Sequence, residues 1–109
     1  MPKKFLNIDT LPTLVHERLI TWGRCVHTQR LRQRITAADL CGRMSISEAT
    51  LRRLEKGDPG TGAGAYLTAL LILGVADEAT PPLTPSLWAD IPQHRVKLSR
   101  LERRSDDDI

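Results

Sequence analysis

I-T-A-A-D-L-C-G-R-M-S-I-S-E-A-T-L-R-R-L-E-K-G, residues 35–57, is the stretch that decides the fold. Two short helices and a tight turn account for nearly every residue in it. Thr36 is a good N-cap, because its hydroxyl accepts from an otherwise unpaired N–H of the first turn. Asp39, three residues on, takes the place of the acid in a capping box. The first helix runs to about Arg43 and carries Leu40 and Met44 on one face. Ser45-Ile46-Ser47 forms the turn. Ser47 caps a second helix, and Ile46, just before that cap, is placed to staple onto Leu51. Leu51 and Leu54 make a thin inner stripe, and Gly57 supplies the stop. The other residues of this helix, Glu48, Ala49, Thr50, Arg52, Arg53 and Lys56, are left to point away from the core. A helix with one narrow apolar face and two adjacent arginines outward suits a DNA major groove.

The stretch resembles the helix-turn-helix of the Xre/Cro/phage-repressor family of bacterial and phage regulators. The family string L-T-x-x-D-L-A-x-R-x-G-V-S-x-x-T-L-x-R-L-E-x-G is met without gaps, and the likeness extends from Gly23 to about Val75, about half the chain. The resemblance implies an all-α, compact five-helix lambda-repressor-like bundle that binds DNA. It also implies a partly buried ion pair between Arg30 and Glu55 that joins the first helix to the recognition helix. Two positions depart from the family. Its turn glycine is Ser45, a residue that tolerates positive φ less well. The glutamine that often opens the motif's first helix is Ala37, which removes one side-chain phosphate contact.

From the resemblance and the outward helix face, the expected base readers are Arg52 and Arg53, with Glu48, Ala49 and Thr50 at the helix start. Arg can take guanine O6 and N7 together, and Glu can accept from cytosine N4. Expected phosphate contacts are Thr36 and Ala37, at the N-terminus of the motif's first helix, together with Ser47 and Lys56. Residues 53–60, R-L-E-K-G-D-P-G, followed by an apolar helix and L-G-V, are similar to the HipB-like toxin–antitoxin repressors. Those proteins repress their own promoter and bind a HipA-like kinase. The likeness implies a homodimer on a palindromic, double-stranded operator, with a kinase toxin as a second partner. The alternative is a phage-type or stand-alone Xre-family regulator with no toxin partner.

The chain has 109 residues, a formal net charge of +3 and a pI near 9.2, which permits nucleic-acid binding without requiring it. The charge is unevenly spread. Residues 1–35 carry seven Lys/Arg against two Asp/Glu, residues 36–57 four against three, and residues 58–81 three acids and no base. Residues 82–109 balance at five and five. No apolar run is long enough for a membrane span, and Met-Pro-Lys-Lys-Phe lacks a secretory apolar core, so a cytoplasmic protein is expected. Cys25 and Cys41 have no Cys or His at metal spacing and read as reduced thiols in the core, Cys41 standing where the resembled family has a buried alanine.

Three segments follow from the pattern: a basic lead at 1–10, the helix-turn-helix domain at 11–75, and a Pro-rich segment with a charged tail at 76–109. Val15, Leu19, Trp22 and Val26 predict one long first helix from Pro12-Thr13 to about Gln33. Its first half extends beyond the family's usual start at Gly23 and either covers the bundle's own core or packs on a second copy. Arg18, Arg24, Arg32 and Arg34 read as solvated surface. Asp58-Pro59-Gly60-Thr61-Gly62 is a turn-rich loop, without the spacing of a nucleotide fingerprint. Tyr66, Leu67, Leu70, Leu71 and Leu73 predict a central core helix at 63–73, capped by Gly74. Thr84-Pro85 opens a short helix at 86–91, stopped by Pro92. Leu87, Trp88 and Ile91 on it either fold back as a lid on helix 63–73 or form a contact for a second subunit or another protein partner. Residues 94–98 alternate weakly, as a short strand or a basic tail, and the charged end is expected to be disordered. His16, His27 and His94 are scattered and read as structural or exposed. No catalytic constellation, metal set or cofactor motif emerges, so a non-enzymatic binding protein is expected.

Overall fold

The computed structural model describes residues 10–90. Its helices are α1 (Thr13–Arg32), α2 (Ala37–Met44), α3 (Glu48–Glu55), α4 (Ala63–Ile72) and α5 (Ala76–Ala79), with 3-10 turns at Pro59–Thr61 and Pro85–Leu87. No strand occurs among the described residues, and no helix there is long and apolar enough to cross a membrane. The all-α expectation holds. Ile91, the expected strand at 94–98, the charged tail and residues 1–9 lie outside the described residues.

Pro12 starts α1: its φ of −57° is already helical, and its carbonyl accepts from His16 N–H at 3.0 Å. The four long helices then end in one way. A residue one or two positions past each end turns left-handed, and the N–H of the residue after it reaches back five positions to a carbonyl of the last turn. Ile35 N–H donates to Arg30 O, Ile46 to Cys41 O, Asp58 to Arg53 O and Val75 to Leu70 O, at 2.9, 3.1, 3.0 and 3.0 Å. The left-handed residue is glycine at Gly57 and Gly74, but Arg34 and Ser45 occupy the other two, each with φ 58°. A side chain there costs about 1–2 kcal/mol, which the hydrogen bonds and the burial on either side must offset. The strain expected at Ser45 is therefore real, and Arg34 is a second such site that carries no glycine signal in the sequence.

Side chains from four helices build the core: Val26 of α1, Leu40 and Cys41 of α2, Leu51 and Leu54 of α3, and Tyr66, Ala69 and Leu70 of α4, with Leu73 just beyond. Leu19, Trp22, Met44 and Ile46 pack against them, and Trp22 lies on Tyr66 with ring centroids 5.8 Å apart. Gln33 Nε2 donates to Leu73 O at 2.7 Å and ties the far end of α1 to that of α4. Burial pushes the Cys41 thiol up, as a core thiol should be. The first turn of α1 does not cover this core. Leu14 and Val15 are exposed and line an apolar groove with Arg18, Leu19 and Trp22.

Helix α4 is not apolar-buried on most sides, as its sequence suggests. Tyr66, Ala69, Leu70 and Leu73 turn inward, whereas Leu67 and Leu71 face solvent, Leu71 at 69% exposure. Of the helix expected at 86–91, the described residues 86–90 form no α-helix. A single 3-10 turn forms over Pro85–Leu87 and stops at Trp88, whose φ of −140° is not helical. One consecutive turn, α5 over Ala76–Ala79, supplies the fifth helix instead. Leu87 and Trp88 do not lie on α4 as a lid: they are 71% and 64% exposed, and Trp88 Nε1 donates to Leu83 O at 3.2 Å within its own turn.

The strain at Ser45 generates a prediction. Ser45→Gly should stabilise the protein by about 0.5–1 kcal/mol, since the greater freedom of glycine in the unfolded chain cancels only part of the relieved strain. A raised urea midpoint at unchanged slope measures this. A lowered midpoint would mean that the serine is bound in place by something beyond its backbone.

Candidate nucleic-acid interface

Helix α3 begins where Ser47 Oγ accepts from Thr50 N–H at 3.1 Å, and α2 where Thr36 Oγ1 accepts from Asp39 N–H at 3.0 Å. Both expected caps are present. The return half of the α2 capping box is not made. The Asp39 carboxylate instead takes both Nε and Nη2 of Arg43, one turn on, at 3.3 and 3.1 Å. A charged partner four residues away is a stronger acceptor's choice than a neutral N–H.

Leu51 and Leu54 anchor α3 in the core, and its outer face is open: Glu48, Ala49, Arg52, Arg53 and Lys56 are exposed, while Thr50 is half-buried. Thr36 and Ser47 are exposed and Ala37 half-buried. Both hydroxyls are engaged as caps, and Ser47 Oγ lies 3.0 Å from Thr50 Oγ1. The two arginines differ in setting. Arg53 Nη2 donates to Thr50 Oγ1 at 3.2 Å, and its Nε lies 3.5 Å from Asp58 Oδ2. Arg52 makes no hydrogen bond or ion pair with a described residue. It lines a shallow depression with His27, Glu55 and Lys56.

What fixes this face in space is the crossing of α1 over α3. A Cβ on Gly23 would sit 2.5 Å from Leu54 O and 2.7 Å from Glu55 O, and one on Gly57 would sit 2.7 Å from the Ile20 backbone. The two helices therefore touch backbone to backbone at these points. About two turns further along α1, Arg30 Nε donates to Glu55 Oε2 at 2.8 Å and Nη2 to Oε1 at 3.3 Å, while Nη1 reaches Ile35 O at 3.2 Å. Both side chains of the pair keep only 11% exposure. The hydrogen bond that Arg30 donates to Glu55 holds its guanidinium above its ordinary value, against the pull of burial. Burial pushes the Glu55 carboxyl up, but hydrogen bonds from Arg30 and then His27 outweigh it and leave the group below the usual carboxylate range.

The sequence missed His27, which it left among scattered histidines. Its Nδ1 lies 3.0 Å from Glu55 Oε1, so one carboxylate receives two partners from α1. The spacing of His27 and Arg30 on one helix face was the available signal. The expected partner residues Leu87 and Trp88 are exposed, and Leu83 joins them as a third exposed apolar residue of the same segment. Among the described residues no group of His, Cys, Asp and Glu is placed to hold a metal ion. Comparison with protein-family models, with curated proteins and with solved structures gives no match.

The ion pair yields a prediction with a pH sign. Glu55→Ala leaves Arg30 charged, mostly buried and without its carboxylate, and should cost about 3 kcal/mol, the low end for breaking such a pair. Because the folded carboxyl is depressed, its contribution is fully present above the unfolded glutamate value and is lost as pH falls through the lower folded one. Urea melts over a series of falling pH, from neutral into strong acid, check both. Wild type and Glu55→Ala should converge in stability in acid, and a gap independent of pH would show that charge does not carry the contact.

Proposed function

We propose that this chain is a sequence-specific DNA-binding transcription regulator, a repressor that binds a palindromic operator as a homodimer. The observation that carries the proposal is the outer face of α3. Five exposed side chains, three of them cationic, stand on a short helix whose opposite face is fastened to the core and to α1. A major groove accepts such a helix, and base edges are read by side chains at its outer surface. Capped helix N-termini at Thr36 and Ser47 suit phosphate oxygens, with Ala37 contributing its backbone N–H and Lys56 its charge. A single motif reads only a few base pairs. Two copies with half-sites about 10 base pairs apart, or a multiple, supply useful specificity. The reading needs no cofactor, no catalytic group and no membrane, and it fits a cytoplasmic protein.

A second role is favoured by the exposed Leu83, Leu87 and Trp88. Tryptophan is the side chain most enriched where interface truncations are costly. Together with the resemblance to HipB-like repressors, these residues support a regulator that also holds a HipA-like kinase toxin and represses its own toxin–antitoxin operon. The rival is a phage-type or stand-alone Xre-family regulator without such a partner.

Two experiments test these readings. In gel shifts with the DNA upstream of its own gene, wild type should bind. Arg53→Ala should lose about 1–3 kcal/mol and relax preference at one position, and Arg52→Ala should weaken all sequences alike. Unchanged binding by the double alanine variant would refute the docking mode. Trp88→Ala removes no core contact, so it should melt and bind DNA like wild type while losing co-purification with the adjacent gene's product. Retained co-purification would remove Trp88 from the partner surface.

A further inference from the structure

Arg53 is bracketed. On one side its Nε faces Asp58 Oδ2 at 3.5 Å, and on the other its Nη2 donates to Thr50 Oγ1 at 3.2 Å. Both partner groups are themselves anchored. Thr50 Oγ1 is held 3.0 Å from Ser47 Oγ at the cap of α3. Asp58 is fixed at four points: its N–H donates to Arg53 O at 3.0 Å, its carbonyl accepts from Thr61 Oγ1 and from the buried Tyr66 hydroxyl, each at 2.9 Å, and its Oδ1 accepts from Gly60 N–H at 3.0 Å. With Oδ1 committed to Gly60, Oδ2 is left for the guanidinium. Both brackets are thus extensions of rigid backbone, one before and one after the outer face of α3.

A guanidinium carries five N–H donors in a planar fork. Thr50 takes one N–H of Nη2, and the Asp58 carboxylate faces Nε as an ion pair at 3.5 Å. Both N–H groups of Nη1 and the second of Nη2 remain uncommitted, and these are the donors that address guanine O6 and N7 as a pair. The neighbouring arginine has no such support, since Arg52 makes no hydrogen bond or ion pair with a described residue. An unsupported guanidinium suits a phosphate, which accepts from many directions. A base edge rewards a fork already held in place.

We propose that Asp58, which makes no base contact itself, is a positioning residue that sets the sequence preference of Arg53 through the Asp58–Arg53–Thr50 bracket. This rests on the reading of α3 as a DNA-recognition helix. The acid is a specificity device: it holds the fork, and its negative charge near the groove lowers affinity for any DNA that does not engage Arg53.

Asp58→Asn separates the two roles of the side chain. Asparagine Oδ1 still accepts from Gly60 N–H, so the loop keeps its turn, but the amide nitrogen that replaces Oδ2 offers Arg53 a donor instead of an acceptor. The full-length protein is used to select duplexes from a randomised DNA pool. Affinities of wild type and Asp58→Asn are then measured by fluorescence anisotropy for the selected duplex, its single-base-pair variants and a scrambled duplex. The bracket predicts that Asp58→Asn reduces the preference at one base pair by about two- to five-fold, the range of an exposed ion pair. Binding to the scrambled duplex should not weaken, since a negative charge is removed. In an Arg53→Ala background the same substitution should change no preference. A uniform gain on every duplex with all preferences intact would reduce Asp58 to a surface charge and overturn the proposal. Loss of preference that persists in the Arg53→Ala background would also overturn it. If wild type enriches no sequence at all, the DNA-recognition reading falls and takes this one with it. An enriched sequence with an indifferent Asp58→Asn sinks the bracket alone.

Discussion

The crossing of α1 over α3 is the constraint on which the rest of this structure depends. Gly23 and Gly57 remove the side chains that would otherwise hold the two backbones apart, with a Cβ on Gly23 falling 2.5 Å from Leu54 O. Arg30 then closes on Glu55 at 2.8 Å, about two turns beyond the contact at Gly23. Sterics set the distance between the helices, and the ion pair sets their register. An ion pair this enclosed is weak evidence for net stability, because taking two charges out of water costs about as much as their attraction returns. Its value lies in direction. A fork of donors meets a carboxylate in few orientations, so α3 cannot rotate about its own axis without stranding both groups.

An eight-residue helix such as α3 is too short to persist alone in water. Its order comes from tertiary packing: Leu51 and Leu54 in the core, Glu55 on α1, and the loop after Gly57 drawn in by Tyr66, whose hydroxyl donates to Asp58 O at 2.9 Å. The outer face therefore inherits the rigidity of the bundle. That bears on the proposed DNA recognition, because a preformed surface spends less of its interaction energy on becoming ordered when it binds. On that face Arg53 donates to Thr50 and pairs with Asp58.

Residues 35–57 were legible because their signals are local. Thr36 and Ser47 cap, Leu40, Leu51 and Leu54 repeat at helical spacing, and Gly57 stops the run. The Arg30–Glu55 pair was not legible from spacing, since the two are 25 residues apart, and came only through family resemblance. Other features were hidden for specific reasons. Arg34 adopts φ 58° with no glycine to announce it. Gly23 looks like a helix weakness until the α3 carbonyls are seen beside it. Asp39 had two acceptors' roles open and took Arg43, so the capping box stayed half-made. Leu67 and Leu71 are apolar and yet outward, and periodicity could not say which stripe of so apolar a helix faces the core. Asp58 pairs with a residue five positions back across a glycine turn, a distance that no helical rule covers.

The central claim is that a rigid α3 presents its outer face to DNA. The most direct test is a titration of the isotope-labelled chain with a duplex from its own upstream region, followed by backbone amide chemical shifts. The account predicts perturbations concentrated on residues 48–56 and on Thr36 and Ala37. Core residues such as Leu70 and Ala69, and the exposed Leu83–Trp88 segment, should stay nearly unmoved. Shifts confined to the apolar groove of α1 or to residues 83–88, or no shifts at concentrations where unrelated basic proteins bind, would contradict it.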